Sequence, residues 1–124
     1  MVYFVGAGSG APDLITVRGA RLLNQADQII YAGSLVNPEL LDYKKESAVV
    51  YDSAKMTLEE VVEKIQEAES TGKMTVRLHT GDPCVYGAIR EQMDELDKLN
   101  TSYKLCPGVS SFCGAASALN LEYT

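Results

Sequence analysis

Short apolar runs alternate with amphipathic stretches along this chain, and that alternation restricts it to one fold class. Five runs have the length and the β-branched or aromatic content of strands: 2–5, 27–31, 49–51, 74–78 and 101–106. Helical patterns separate them, at 13–26, 37–41, 57–72, from 88 onwards and at 109–119. Strands that alternate with helices form a parallel sheet covered on both faces. We therefore expect an α/β fold with a mostly parallel five-stranded sheet and helices on both faces.

The helix boundaries follow from local signals. Thr57 and Glu60 have the spacing of a capping box, and Gly72 is suited to end the helix that they begin. Within that helix we expect Glu60 to pair with Lys64, four residues on. The first helix is expected to begin at Asp13, with three apolar residues at helical spacing: Leu14, Val17 and Leu22.

Composition limits the classes of partner. The 124 residues suit a single domain, and the net charge of −6 argues against nucleic acid, whose binding normally needs a basic face. An anionic small molecule would still need local positive charge, for which the candidates are Arg18, Lys55, Arg77 and Arg90.

Neither a membrane nor a metal is expected. No apolar stretch approaches the roughly 20 residues that span a bilayer. The chain starts directly with a strand pattern and has no basic leader, which predicts a cytoplasmic protein. A single histidine and three cysteines without a Cys-x-x-Cys pair offer no zinc-binding set: Cys84, Cys106 and Cys113.

Three glycine- or proline-rich loops follow strands, and a loop at the carboxyl end of a strand is where open α/β sheets bind ligands. They cover residues 6–12, 80–87 and 107–111. In the second loop Gly81 permits a left-handed backbone and Pro83 fixes the turn. In the third loop Ser110 and Ser111 either cap the last helix or direct hydroxyl and N–H groups at a ligand.

A dinucleotide site is the first alternative for these loops. Gly6, Gly8 and Ala11 fit the spacing of the Rossmann fingerprint, which would make the chain an NAD(P)-binding module. Such a site normally has a carboxylate after the second strand, and this chain has Tyr31-Ala32-Gly33-Ser34 there. A non-catalytic α/β interaction domain is the second alternative.

Together the three loops resemble those of a known family, the tetrapyrrole methylases. The resemblance rests on Val5–Gly10, on Leu78–Gly87 with its Gly-Asp-Pro, and on Pro107–Ser111, and it extends over the whole chain. Residues 31–40 and 88–93 are most similar to those members that methylate C11 of precorrin-4. The chain departs from the family at Ser9-Gly10-Ala11, where relatives commonly have a proline and an acid.

The resemblance implies a methyl transfer from S-adenosylmethionine to C11 of precorrin-4 or cobalt-precorrin-4, in cobalamin biosynthesis. It places the cofactor, and its product S-adenosylhomocysteine, against seven positions: Ser9, Thr80, Gly81, Asp82, Val85, Ser110 and Ser111. It also implies a second, C-terminal domain that is absent from this chain, and a homodimer. We therefore expect the isolated chain to be inactive.

The residues themselves do not identify a catalytic base. A carbon acceptor must lose a proton or positive charge when it is methylated, so a base or a polarising group can assist. By position in the sequence the candidates are Asp82, His79 and Asp52. A lone histidine at a strand end also commonly serves a structural role, by bonding to the backbone.

Overall fold

A computed structural model describes all residues from 1 to 124. Five strands alternate with four α-helices: β1 (Val2–Gly6), α1 (Val17–Gln25), β2 (Gln28–Tyr31), β3 (Val49–Asp52), α2 (Leu58–Ser70), β4 (Thr75–His79), α3 (Arg90–Lys98), β5 (Tyr103–Cys106) and α4 (Ser111–Ala118). Three short 3₁₀ segments lie between them: Pro12–Leu14, Pro38–Tyr43 and Ser53–Lys55. None of the helices is long and apolar enough to cross a lipid bilayer.

The strands form one sheet in the order β3-β2-β4-β1-β5, and every neighbouring pair is parallel. The expected α/β fold with a five-stranded sheet is therefore confirmed, and the sheet is parallel throughout. β4 lies between β1 and β2, whereas in the Rossmann order the first two strands are neighbours. Consequently the loops that follow β1 and β4 start side by side.

Helices cover both faces of the sheet, as expected. On one face Leu23 of α1 packs with Val5, Ile29 and Leu78 in an apolar cluster. On the other face Ile65 of α2 and Leu96 of α3 pack against strand residues that include Phe4 and Ile30. Burying each such side chain stabilises the fold by roughly 1.5–3 kcal/mol.

The first helix begins later than we predicted. Residues Pro12–Leu14 form a 3₁₀ turn, and α1 starts at Val17, after the Thr16 hydroxyl accepts a hydrogen bond from the Gly19 amide (2.9 Å). Leu14 and Val17 are exposed, so the predicted apolar stripe on this helix is wrong. The residues that α1 buries are Gly19 and Leu23. The N-cap at the true start is Thr16.

Three smaller predictions about helices also differ from the structure. Ala88 has a left-handed backbone (φ 51°), so α3 begins only at Arg90. The last helix starts at Ser111 rather than at 109. The capping box of Thr57 and Glu60 is present, but because the Glu60 carboxylate turns back to the Thr57 amide, Lys64 lies near Glu67 instead.

Candidate functional site

The loops after β1, β4 and β5 meet at the carboxyl edge of the sheet. Gly8 and Gly81 form an antiparallel bridge in which the Gly81 amide donates to the Gly8 carbonyl (2.8 Å). The Gly108 amide of the third loop donates to Asp82 Oδ2 (3.0 Å). Asp82 Oδ1 accepts from the Cys84 amide (2.8 Å), so one carboxylate joins two loops.

Glycine is required where these loops touch. A Cβ atom on Gly6 would lie 2.7 Å from Gly108 Cα and 2.5 Å from the Gly81 carbonyl oxygen. Gly81 itself has φ +60°, a backbone conformation that costs other residues energy. A Cβ on Gly108 would likewise clash with the Gly81 carbonyl oxygen, so close packing of the three backbones depends on Gly6 and Gly108.

The meeting point of β1 and β4 is a topological switch point. The chain leaves β1 toward α1, which packs on one face, and leaves β4 toward α3, which packs on the other. Neighbouring strands whose connections diverge in this way leave a crevice at their carboxyl ends, where α/β folds bind ligands. The sheet topology thus places a ligand crevice at the loops that the sequence analysis selected.

A cleft of about 220 Å³ lies at this position. Four of the seven predicted cofactor residues line it: Ser9, Thr80, Gly81 and Ser111. Ser110 is buried and lies next to the cleft residue Gly81. A Cβ atom on Gly81 would be 3.4 Å from Ser110 Cα. Ser110 occupies the N-cap position of α4, yet its side chain makes no capping hydrogen bond.

The other two predicted residues lie apart from the cleft lining. The Asp82 carboxylate is occupied by the two loop amides described above. Val85 is exposed in the segment between β4 and α3, where Tyr86 and Ala88 both have left-handed backbones.

Ser9, which lines the cleft, has a buried hydroxyl without a protein partner. Ser9 Oγ makes no hydrogen bond, and it lies where a Cβ on Gly114 of α4 would clash with it. A buried polar atom without a partner costs roughly 1–3 kcal/mol, which a bound ligand can recover.

The loop after β2 supplies a part of the cleft that the glycine-rich loops of the sequence did not predict. Leu35, Val36, Asn37 and Leu40 line it, and the Asn37 amide group donates to the Gly10 carbonyl (3.0 Å). The Asn37-Pro38 pair predicted a short helix, and the Asn37 side chain does accept from the Glu39 amide. Its second contact, with the first glycine loop, gave no sequence signal because it joins residues 27 positions apart.

The three proposed bases lie in different surroundings, which the structure describes one by one. Hydrogen bonds from the Ala54 and Gly33 amides hold the pKa of Asp52 below its usual value. Burial, with a smaller contribution from Arg77, lowers the pKa of His79 to about 3. Both Asp82 oxygens accept backbone N–H groups.

The position of the first helix argues against the dinucleotide alternative. Pyrophosphate binding in a Rossmann site uses the N-terminus of the helix that follows the first glycine loop. Here that helix starts at Val17, after a 3₁₀ turn, and the Thr16 side chain already accepts its Gly19 amide. The first loop therefore lacks the helix terminus on which an NAD site depends.

The chain matches known proteins over its whole length. The sequence model of the Tetrapyrrole (Corrin/Porphyrin) Methylases matches residues 1–124. The cobalt-precorrin-4 C(11)-methyltransferase of Methanocaldococcus jannaschii is 52% identical over 123 residues, which are 99% of this chain and 48% of that protein. The chain thus spans about half the length of this relative.

Two solved structures extend the comparison. A cobalt precorrin-4 methyltransferase superposes with a TM-score of 0.96 at 48% identity, covering 99% of this chain and 52% of the other. The uroporphyrin-III C-methyltransferase of Thermus thermophilus complexed with S-adenyl homocysteine has a TM-score of 0.77 at 30% identity. That match covers 93% of this chain and 47% of the other.

Proposed function

This chain belongs to the tetrapyrrole methylases, and on that premise we propose that it forms the N-terminal domain of a precorrin-4 C11-methyltransferase. The reaction is methyl transfer from S-adenosylmethionine to C11 of precorrin-4 or of cobalt-precorrin-4. The observation that carries the proposal is the convergence of three loops on one cleft in a chain 52% identical to such an enzyme.

The residues of the cleft fit S-adenosylmethionine. The Ser9 hydroxyl has no protein partner, and the Ser110 side chain makes no capping hydrogen bond. Both can therefore form hydrogen bonds with polar groups of the cofactor. Thr80 and Ser111 add two hydroxyls, Gly81 adds backbone groups, and Leu35 and Val36 form an apolar wall. Asp82 is the positioning residue in this scheme, since its carboxylate fixes the second loop against the third.

The proposed reaction requires the chain mainly to align the methyl donor with the acceptor. The cofactor, when bound, supplies a methyl group already activated as a sulfonium, which needs no protein nucleophile. The three loops therefore act by orienting donor and acceptor and by excluding water. The backbone hydrogen bonds at Asp82 and Asp52 and the low pKa of His79 argue against these three side chains as the base. We therefore propose that a group outside this chain, or the substrate itself, takes up the proton.

We also propose that the rest of the site lies in a C-terminal domain, so that this chain alone does not turn over. A cytoplasmic homodimer is part of the same proposal. A chimaera tests it: this chain is fused to the C-terminal half of the Methanocaldococcus jannaschii relative. We expect transfer of labelled methyl to precorrin-4 or cobalt-precorrin-4 by the chimaera, and none by the 124-residue chain.

Two results would contradict the proposal. Turnover by the isolated chain would overturn the division of the site between two domains. A folded chimaera that binds S-adenosylhomocysteine, yet methylates neither substrate, would overturn the C11 assignment. Binding is measured on the same preparation, so that misfolding cannot be mistaken for a wrong substrate.

A further inference from the structure

Arg77 is buried in the sheet without an acidic partner. It projects from β4 toward α3 and is 8% exposed. Its Nε donates to Gln92 Oε1 (3.0 Å) and its Nη1 donates to the Ile30 carbonyl (3.2 Å). Both acceptors are uncharged, and no carboxylate lies within ion-pair distance of the guanidinium. A guanidinium has five N–H donors, so three remain without a protein acceptor.

The side chain nevertheless carries its charge. Burial lowers the pKa of Arg77 only to about 10, so the guanidinium is protonated at neutral pH. A buried charge that lacks a counter-ion is unfavourable, and proteins normally pair it or neutralise it. The other three cationic candidates from the sequence do not share this situation, because Arg18, Lys55 and Arg90 are exposed.

Arg77 also lines a second cavity. This cavity, of about 330 Å³, lies between the β3–α2 connection and the start of α3. Met56, Leu58, Val61 and Ala88 supply apolar wall, and Ser53 and Thr57 supply hydroxyls. The amide of Leu58, in the first turn of α2, has no acceptor within the helix and adds partial positive charge. Glu91 is the one acidic residue in the lining, and it is exposed.

We propose that this cavity, separate from the cofactor cleft, binds a carboxylate that pairs with Arg77. The planar guanidinium presents parallel donors that match the two oxygens of a carboxylate. The apolar wall suits the short aliphatic chain that joins such a group to the rest of a ligand. The cavity therefore selects an aliphatic carboxylate over a fully polar anion.

Two sources can supply that group. One is a free short-chain carboxylic acid. The other is a carboxylate arm of the tetrapyrrole itself, an assignment that rests on the proposed function. In both cases a carboxylate pairs with the Arg77 guanidinium, and the experiment below distinguishes the two sources.

The test is a titration of the isotopically labelled chain with propionate, followed by NMR at Arg77 Nε–H and at the Leu58 amide. We expect saturable shifts in the millimolar range with propionate, and none with propionamide, its uncharged analogue, at matched ionic strength. Arg77→Gln should abolish the shifts. Glu91→Gln, which removes an exposed negative charge from the lining, should tighten binding about two- to fivefold.

A folded wild-type chain without a saturable shift at Arg77, or with equal shifts from propionamide, would overturn the proposal. Arg77→Gln can weaken the fold. The comparison of propionate binding by the wild type and by Glu91→Gln therefore tests the site without that variant. Uroporphyrin, a stable tetrapyrrole octacarboxylate, separates the sources. Displacement of propionate at micromolar uroporphyrin identifies the arm, whereas binding of propionate alone identifies the free acid.

A titration of the same labelled chain with S-adenosylhomocysteine tests the proposed function independently of the carboxylate site. S-adenosylhomocysteine should shift only the loop cleft, lined by Thr80 and Ser111. A response there without a propionate response at Arg77 contradicts the carboxylate site alone. The reverse pattern contradicts the cofactor site alone.

Discussion

Single residues on β4 show how a strand that looks apolar can bury polar groups. Val76 and Leu78 face the α1 side, and the alternate residues Thr75, Arg77 and His79 lie on the opposite face, all of them buried. The ring of His79 stacks on Phe4 with centroids 5.9 Å apart, and its Nε2 atom has no hydrogen-bond partner. These surroundings keep the imidazole neutral, which is why it is a poor general base.

The buried imidazole predicts a pH dependence of stability. The pKa of His79 is about 3 in the folded chain and close to 6.5 when the chain is unfolded, so unfolding takes up a proton between these values. The free energy of unfolding is therefore unaffected by this histidine above its unfolded pKa of about 6.5, and it decreases as the pH falls from there toward 3. At pH 5 the expected loss is about 2 kcal/mol.

Urea unfolding of the wild type and of His79→Leu at pH 7 and pH 5 measures that loss. The carboxylates titrate in both proteins, so the difference between their pH effects isolates His79. Since the chain has one histidine, its ring resonance can also be followed directly in the wild type. An ordinary titration near pH 6.5, or equal losses in the two proteins, would show that the imidazole is not held neutral.

At the scale of elements, the sequence located strands better than helix starts. The five strand patterns and the capping box at Thr57 were predictable because both depend on neighbouring residues. The start of α1 was not, because Asp13 and Thr16 are both acceptable caps in the sequence, and only in the structure is Thr16 seen to cap the helix. The left-handed backbone of Ala88 was not predictable either, since nothing in the surrounding sequence indicates it.

Asp82 is predicted to stabilise the contact between the second and third loops. Asp82→Ala removes the acceptor of the Gly108 and Cys84 amides, so we expect a loss of about 1–3 kcal/mol in the free energy of unfolding. Affinity for S-adenosylhomocysteine should fall as well, because the cleft depends on this contact. Denaturant unfolding and a binding titration check the two effects.

Asp13→Ala is the matched control for that substitution. Asp13 is an exposed acid in the 3₁₀ turn after the first glycine loop, and its change should alter stability by no more than about 0.5 kcal/mol. If both variants lose the same stability, the Asp82 carboxylate does not join the loops.

At the scale of the whole molecule, the strand order creates the site. Sequence patterns predicted three loops at strand ends, but not that β4 separates β1 from β2. That order depends on pairing between distant residues, such as Val5 with Leu78, and leaves no local signal. It places Gly8 against Gly81 and brings the loop after β2 into the cleft, so the predicted residues form one surface only in the folded chain.

The most direct test of the central claim, that these loops hold S-adenosylmethionine, is an NMR titration of the labelled chain with S-adenosylhomocysteine and, separately, with NAD. We predict shifts confined to the cleft, at Ser9, Thr80, Gly81, Ser110 and Ser111, with S-adenosylhomocysteine alone. Shifts around Gly6–Ala11 with NAD, and none with S-adenosylhomocysteine, would contradict the account and favour a dinucleotide site.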